Sequence, residues 1–288
     1  MNILDKFIID RHAPNVYVYA AWIGVLELVI GVVSLVVVVG VQGVSASSFG
    51  GGAAIGAVSA TGLMFLLAAL KYGQVNRVVP IWFTYPLLVA PIAAVFLDEQ
   101  LSAIALGAIL LAVVGAILVS WEGESARGRF GHPAALLLAL GASAGWALSF
   151  ILSKHFLEGG HFWQVFASYR LGFSAVMLMG VGSRRVRTSS MRLVRDATFV
   201  KLILLAELVI TVVVITRFAA VSLGPDVSII AAISAVQPAL VYLYSLVLAG
   251  VSPLMFGSWV NRGTFFTQSG GILAITAAVV IISLKGEG

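Results

Sequence analysis

The chain has 288 residues, of which 60% are hydrophobic and only 10% are charged. Soluble domains have about a quarter of their residues charged, so this composition excludes a soluble enzyme. The length suffices for about ten bilayer crossings of about 20 residues each and leaves no room for a soluble domain. The sequence contains no cysteine, which excludes disulfides, thiolate metal sites and cysteine nucleophiles.

Nine apolar runs that are long enough to span a membrane follow one another along the chain. They cover residues 16–39, 53–72, 75–97, 101–121, 133–153, 162–182, 199–221, 226–249 and 265–284. Backbone amides in hydrocarbon must be hydrogen-bonded within their own segment, so these runs predict transmembrane helices rather than barrel strands. We therefore expect an all-α, multi-pass integral protein of the inner (plasma) membrane.

The basic residues are distributed unequally over the predicted loops. Thirteen of the 17 Lys and Arg residues fall on one side of the membrane and three on the other, while Arg170 lies inside a span. Because positive charge concentrates in cytoplasmic loops, the N-terminus and the loop 183–196 are predicted to be cytoplasmic, with an external C-terminus. The run Arg184, Arg185 and Arg187 has a second interpretation, as a binding site for anionic lipid headgroups.

An internal repeat relates the two parts of the chain. Residues 68–97 align without gaps on residues 220–249, so that Pro86 falls opposite Pro238, and weaker matches upstream place Gly24 opposite Gly172. A tandem repeat with an odd number of crossings inserts its two copies in opposite orientations. Many secondary transporters have this inverted design, with the substrate site near the midplane between the halves.

The repeated segment also carries a family resemblance. The sequence AALKY at residues 68–72, Pro86 in the middle of the next span, LDEQL at residues 97–101 and Gly107 resemble the EamA-type pattern of the drug/metabolite transporter superfamily. Residues 220–249 repeat this pattern more loosely. The resemblance implies a ten-helix carrier that moves small organic solutes without ATP.

The resemblance also implies a division into two five-helix repeats. The first would cover residues 1–121, a linker residues 122–132, and the second residues 133–288. Only nine spans are found because the first family helix is largely missing. A start codon placed too far downstream and true loss of the helix would both explain this difference.

Three ionisable residues, Glu27, Arg170 and Glu207, lie well inside predicted spans. Such side chains are costly in a bilayer, usually face the bundle interior and are candidates for function. Glu27 could exchange a proton and couple transport to a proton gradient, or it could make a structural contact with Arg170 or another helix. Glu207 is a candidate on the same grounds. Arg170 could pair with a carboxylate of the protein or bind the carboxylate of a substrate.

Aromatic, amide and hydroxyl residues supply a predicted lining for the substrate site. Pro86 and Pro238 would interrupt corresponding helices of the two repeats, and such interruptions point to a midplane site. The predicted lining residues are Trp82, Tyr85, Trp146, Ser149, Gln237 and Tyr242. Ordinary helix packing is the alternative role for each aromatic residue.

No histidine pair with a metal-binding context, phosphate-binding loop or hydrolase elbow occurs in the sequence. We therefore expect no metal site, no cofactor, no nucleic-acid partner and no enzymatic activity. The predicted function is secondary transport of a small metabolite, such as an amino acid or amine, by alternating access, with proton coupling as an option. The alternative is a non-transporting assembly partner or remnant, and a homodimer would close the wall left open by the missing helix.

Overall fold

The computed structural model describes residues 8, 15–72, 75–119, 133–159, 161–224, 226–234, 236–240, 243–244, 247 and 265–285. All regular elements within these ranges are helical. The α-helices are α1 (Val16–Gln42), α2 (Ala46–Tyr72), α3 (Val75–Trp82), α4 (Tyr85–Phe96), α5 (Ala103–Val119), α6 (Pro133–Leu157), α7 (Phe162–Met177), α8 (Arg184–Leu193), α9 (Ala197–Leu223), α10 (Val227–Ser234) and α11 (Phe265–Lys285). A 3₁₀ segment, Leu178–Gly182, follows α7.

Six helical segments among the described residues are long and apolar enough to cross a bilayer. They are Val16–Val41, Ala46–Tyr72, Val78–Phe96, Pro133–Leu157, Phe162–Gly182 and Ala197–Leu223. Shorter apolar helices lie at the predicted spans 101–121, 226–249 and 265–284. The predicted all-α class is thus confirmed for the described part of the chain, whereas the number of crossings and the inverted repeat remain predictions.

Helix α1 shows how the sequence separates an inner from an outer face. Its buried positions include Gly24, Glu27 and Gly31, which recur at helical spacing. The opposite face exposes large apolar side chains such as Val33 and Val36, the latter 67% exposed. An exposed stripe of valines is unfavourable in water and suits contact with lipid.

The predicted span 75–97 is broken in its middle. Helix α3 ends at Trp82 and α4 begins at Tyr85, with Pro86 in the first turn of α4. Proline has no amide hydrogen to donate to the carbonyl four residues earlier, which explains the interruption. Near the break, the carbonyl of Ile81 accepts hydrogen bonds from both the amide of Thr84, at 3.1 Å, and the hydroxyl of Thr84, at 2.6 Å.

The chain packs into two compact units, and each unit combines two separate stretches of sequence. Unit 1 comprises Met1–Met64 and Leu148–Gly224, and unit 2 comprises Phe65–Ala147 and Pro225–Gly288. These are units of packing. The predicted division into residues 1–121 and 133–288 concerns an internal repeat, which the packing does not test.

Within unit 1, glycine allows α2 and α7 to approach each other closely. A methyl group at Gly56 of α2 would overlap the carbonyl oxygen of Tyr169, and one at Gly172 of α7 would overlap the backbone of Ala53. Helices in membranes associate largely through such van der Waals contact between small residues, because lipid provides little hydrophobic driving force.

Within unit 2, α5 and α11 pack against each other in a similar way. A Cβ atom at Gly115 would lie 2.7 Å from the carbonyl oxygen of Gly271, and one at Gly271 would lie 2.6 Å from that of Gly115. The two helix backbones therefore meet at a pair of glycines, and no larger residue fits at either position without displacing a helix.

Gly56→Ala should destabilise unit 1, because the added methyl group meets backbone rather than a movable side chain. Overpacking of this kind costs about 1–3 kcal/mol. Gly50→Ala on the same helix is the matched control, since nothing lies within 4 Å of its Cβ position. Thermal unfolding in detergent should show a lower midpoint for Gly56→Ala only. Equal midpoints for the two variants would contradict the close approach of α2 and α7.

Candidate functional site

A cluster of three charged side chains lies buried inside unit 1. Nη1 of Arg170, on α7, donates to Oε1 of Glu27, on α1, at 2.7 Å and to Oε1 of Glu207, on α9, at 2.9 Å. The exposed fractions are 0% for Arg170, 1% for Glu27 and 3% for Glu207. The three ionisable residues that the sequence places inside separate spans therefore meet in one site.

Small residues next to Glu27 bring its helix against α7. A Cβ atom at Gly31 would lie 3.0 Å from Cβ of Arg170, and the hydroxyl of Ser174 donates to the carbonyl of Gly24 at 2.8 Å. Glycine lies about one turn before and one turn after Glu27, so α1 contacts α7 on both sides of the carboxylate. This close contact holds the glutamate within reach of the guanidinium.

The cluster contains two carboxyl groups but only one guanidinium. If both carboxyl groups were ionised, the site would carry one net negative charge in a buried environment, which is costly. One proton or one bound cation would make it neutral. The phenyl ring of Phe166 lies 5.0 Å from Cζ of Arg170 and adds a cation–π contact but no compensating charge.

Several polar atoms of the cluster have no hydrogen-bond partner among the described residues. They are Oε2 of Glu27, Oε2 of Glu207, and Nε and Nη2 of Arg170. Buried polar atoms without partners are uncommon in folded proteins and call for a physical reason. Here they supply both acceptors and donors at one buried place, which suits a ligand that carries positive charge, negative charge or both.

A second polar region of unit 1 contains Ser149 and Arg217. The hydroxyls of Ser149 and Ser59 lie 2.6 Å apart and are fully buried. Cζ of Arg217 lies 5.5 Å from the ring of Phe150 and 5.6 Å from that of Tyr169. Arg217 is one of the basic residues that the sequence pattern assigns to a side of the membrane, and its packing among aromatic rings is evident only from the structure.

In unit 2, Trp82 and Tyr85 flank the break between α3 and α4, and Trp146 of α6 contacts Trp82. The rings of Trp82 and Trp146 meet edge to face, with centroids 5.5 Å apart. Trp82 and Tyr85 are 7% and 2% exposed, so both belong to the packed interior. These contacts are those of ordinary aromatic packing, and a role in lining the substrate site remains a prediction.

The other predicted residues are less informative. Pro86 and Pro238 are buried and Gln237 is half-buried. Gln237 and Pro238 lie in the segment that follows α10. Tyr242 lies outside the described residues. No group of three or more His, Asp or Glu residues that could hold a metal ion occurs in the part of the chain that the structure describes.

Glu99 has a structural role that its sequence motif does not predict. Its carboxylate accepts hydrogen bonds from the amide of Val227, from the amide of Ser228 at 3.3 Å and from the Ser228 hydroxyl at 2.6 Å. These groups form the first turn of α10, so Glu99 caps this helix from another part of unit 2. A carboxylate at a helix N-terminus satisfies free amides and interacts favourably with the helix dipole. The LDEQL motif marks Glu99 in the sequence, but its partner lies 128 residues away and no local pattern identifies it.

Comparison with known proteins agrees with this architecture. Residues 7–121 match the EamA-like transporter family. The match covers 115 of the 288 residues and places this part of the chain in the drug/metabolite transporter superfamily. The resemblance carried by residues 68–107 is thereby confirmed, and members of the EamA-like family are membrane transporters.

A solved crystal structure of a protein is similar to this chain, with a TM-score of 0.68 and 15% sequence identity. The alignment covers 100% of this chain and 94% of the chain in that structure. At this identity the likeness concerns the fold alone. No curated protein matches the sequence. A solute for this chain must therefore be proposed from the chain's own residues.

Arg170→Gln should destabilise the protein strongly, because it leaves two buried carboxyl groups without their cation. Breaking a buried ion pair in this way costs about 3–5 kcal/mol. The triple variant Arg170→Gln, Glu27→Gln, Glu207→Gln removes all three charges and should recover much of that loss. Thermal unfolding in detergent measures the difference. A triple variant no more stable than the single variant would contradict the charge-balance argument.

Glu99→Gln should weaken the cap of α10, because an amide has one acceptor oxygen and no charge to interact with the helix dipole. Loss of a cap costs about 0.5–2 kcal/mol. Asp98→Asn is the matched control, since Asp98 is an exposed neighbour with φ of 54° and asparagine tolerates this backbone conformation. Hydrogen exchange of the α10 amides should accelerate in Glu99→Gln and stay unchanged in Asp98→Asn. The same exchange rates in both variants would show that Glu99 does not hold α10.

Proposed function

We propose that the chain is a secondary transporter of small organic solutes, and that Glu27, Arg170 and Glu207 form its coupling or substrate-binding site. The proposal rests on one observation, the buried guanidinium shared by two carboxyl groups. A purely structural pair would need one carboxylate. The second carboxylate gives the site a place for a proton or a cationic group, which is what a carrier exchanges between the two sides of a membrane.

The unpartnered atoms favour a cationic or zwitterionic solute. Oε2 of Glu27 and Oε2 of Glu207 can accept hydrogen bonds from an ammonium group, while Nε and Nη2 of Arg170 can bind a carboxylate side by side. An amino acid carries both groups, and an amine carries the first alone. Amino acids and amines are therefore the solutes we expect.

Alternating access between two inverted repeats, residues 1–121 and 133–288, is the mechanism that we propose for movement across the plasma membrane. A proton on the cluster would neutralise it when no solute is bound, so proton and cationic solute would compete for the same carboxyl groups. Such competition couples the two fluxes in opposite directions. No comparison supports the alternative of a non-transporting assembly partner.

The test begins with a thermal-shift screen of amino acids and amines, which identifies a solute that can be radiolabelled. Uptake of this solute into proteoliposomes is then measured with and without an imposed pH gradient. Glu27→Gln and Glu207→Gln should lose the response to the gradient, because an amide cannot release a proton. Solute exchange in the absence of a gradient should persist in at least one of the two variants.

Glu158→Gln is the matched control for the flux assay. The Glu158 side chain is 56% exposed and forms an ion pair with Lys154 at 3.6 Å, and it does not belong to the buried cluster. This variant should keep the wild-type response to the pH gradient. Gradient dependence that is unchanged in both Glu27→Gln and Glu207→Gln would remove these residues from any coupling role.

A further inference from the structure

Helix α8 is a short basic helix that the transport proposal does not use. It lies between the 3₁₀ segment that ends one predicted span and the helix α9 that begins the next. One side of α8 packs against α1, which belongs to the same unit. Val186 is 6% exposed and packs against Val18 and Ala21 of α1, with Trp22 and Leu193 at the edge of the same cluster.

The outer surface of α8 and of the turn after it is strongly basic. Five arginines are exposed there, namely Arg184, Arg185, Arg187, Arg192 and Arg195. Residues 183–195 contain no Asp or Glu, so no acidic residue of this segment compensates the charge. Asp196 follows, but its carboxylate accepts hydrogen bonds from Thr198 and Phe199 and caps α9.

The same segment also exposes apolar side chains. Met191 is 65% exposed and Val194 is 59% exposed. A loop that faces water has no need of apolar side chains at these positions. Residues three apart share a helix face, so Met191 and Val194 form a stripe on the outer surface, apart from the inward face of Val186 and Leu193. This surface presents both positive charge and apolar area.

Topology alone does not explain that combination. The positive-inside rule requires only that basic residues be present in a loop, and it makes no demand on the neighbouring side chains. A helix at the membrane surface does require both features. Its arginines bind lipid phosphates while its apolar residues enter the boundary of the acyl chains.

We propose that α8 and the following turn, residues 184–195, form a docking surface for anionic phospholipids. The arginine guanidinium groups bind the lipid phosphates, for which their planar donor geometry is well suited. Met191 and Val194 contact the upper part of the acyl chains. Because Val186 and Leu193 fix α8 to the start of α1, a bound lipid stabilises the packing of α1 within unit 1. This inference does not depend on the identity of the solute.

The absence of cysteine from the chain makes a direct test possible. Thr188→Cys, on the exposed side of α8, is labelled with a polarity-sensitive fluorophore and the protein is placed in nanodiscs. Discs of phosphatidylcholine with phosphatidylglycerol should give a spectrum shifted to the blue relative to phosphatidylcholine alone. The shift should decrease at high salt, since ions screen the attraction. Identical spectra in the two lipid compositions would overturn the proposal.

Charge removal shows whether the binding belongs to α8. The double variant Arg185→Gln, Arg192→Gln should retain phosphatidylglycerol at least about tenfold more weakly than the wild type in native mass spectrometry. The double variant Lys71→Gln, Lys201→Gln is the matched control, because it removes two exposed positive charges that lie outside α8. The control should change retention less than twofold. Equal losses in the two double variants would show a general charge effect and refute a specific surface on α8.

A soluble competitor distinguishes a lipid from a free phosphate. Glycerol 1-phosphate in excess should leave the fluorescence shift of labelled Thr188→Cys in place, because it has no acyl chain for Met191 and Val194 to contact. Met191→Ser with Val194→Ser should reduce the shift. Full competition by glycerol 1-phosphate, or an unchanged shift in the serine variant, would show that the surface binds phosphate alone and would overturn its assignment to lipid.

Discussion

The sharing of one guanidinium by two carboxyl groups is the interaction on which the functional interpretation of this protein depends. Arg170 contacts Glu27 and Glu207 through a single nitrogen, Nη1, and all three side chains are excluded from solvent. The three helices that carry them, α1, α7 and α9, are thereby linked in the interior of unit 1. A change in the charge of one member alters the energy of the other two, which makes the cluster sensitive to a proton or to a charged solute.

Close helix packing makes this cluster possible. Glutamate and arginine from neighbouring helices meet at 2.7 Å only if the helix axes come near each other, and the glycines on both sides of Glu27 allow this. The same principle is seen between α2 and α7 and, in unit 2, between α5 and α11. In lipid, where apolar side chains gain little from leaving the solvent, small residues and buried polar contacts determine which helices associate.

The family pattern has a structural meaning as well. The acidic motif at residues 97–101 supplies Glu99, which caps α10 through three hydrogen bonds, and Pro86 of the same pattern lies in the first turn of the helix that follows a break. Short motifs of this kind locate the ends of helices. The charged cluster lies elsewhere, at residues that the motifs do not include, so family membership and solute identity are separate questions.

The sequence by itself determined the all-α class and the approximate position of the long apolar helices, whereas α8 lies in the predicted loop 183–196. Long apolar runs have only one stable form in a bilayer, and ionisable residues within them are rare enough to stand out, so Glu27, Arg170 and Glu207 could be identified as candidates one by one. The alternatives left open for Arg170 concerned its partner, which the sequence could not name. Only the tertiary structure decided that it binds both glutamates, that Glu99 caps α10 and that Arg217 lies among aromatic rings. These contacts join residues from 37 to 143 positions apart in the buried cluster, and the packing of helices, rather than any local pattern, brings such residues together.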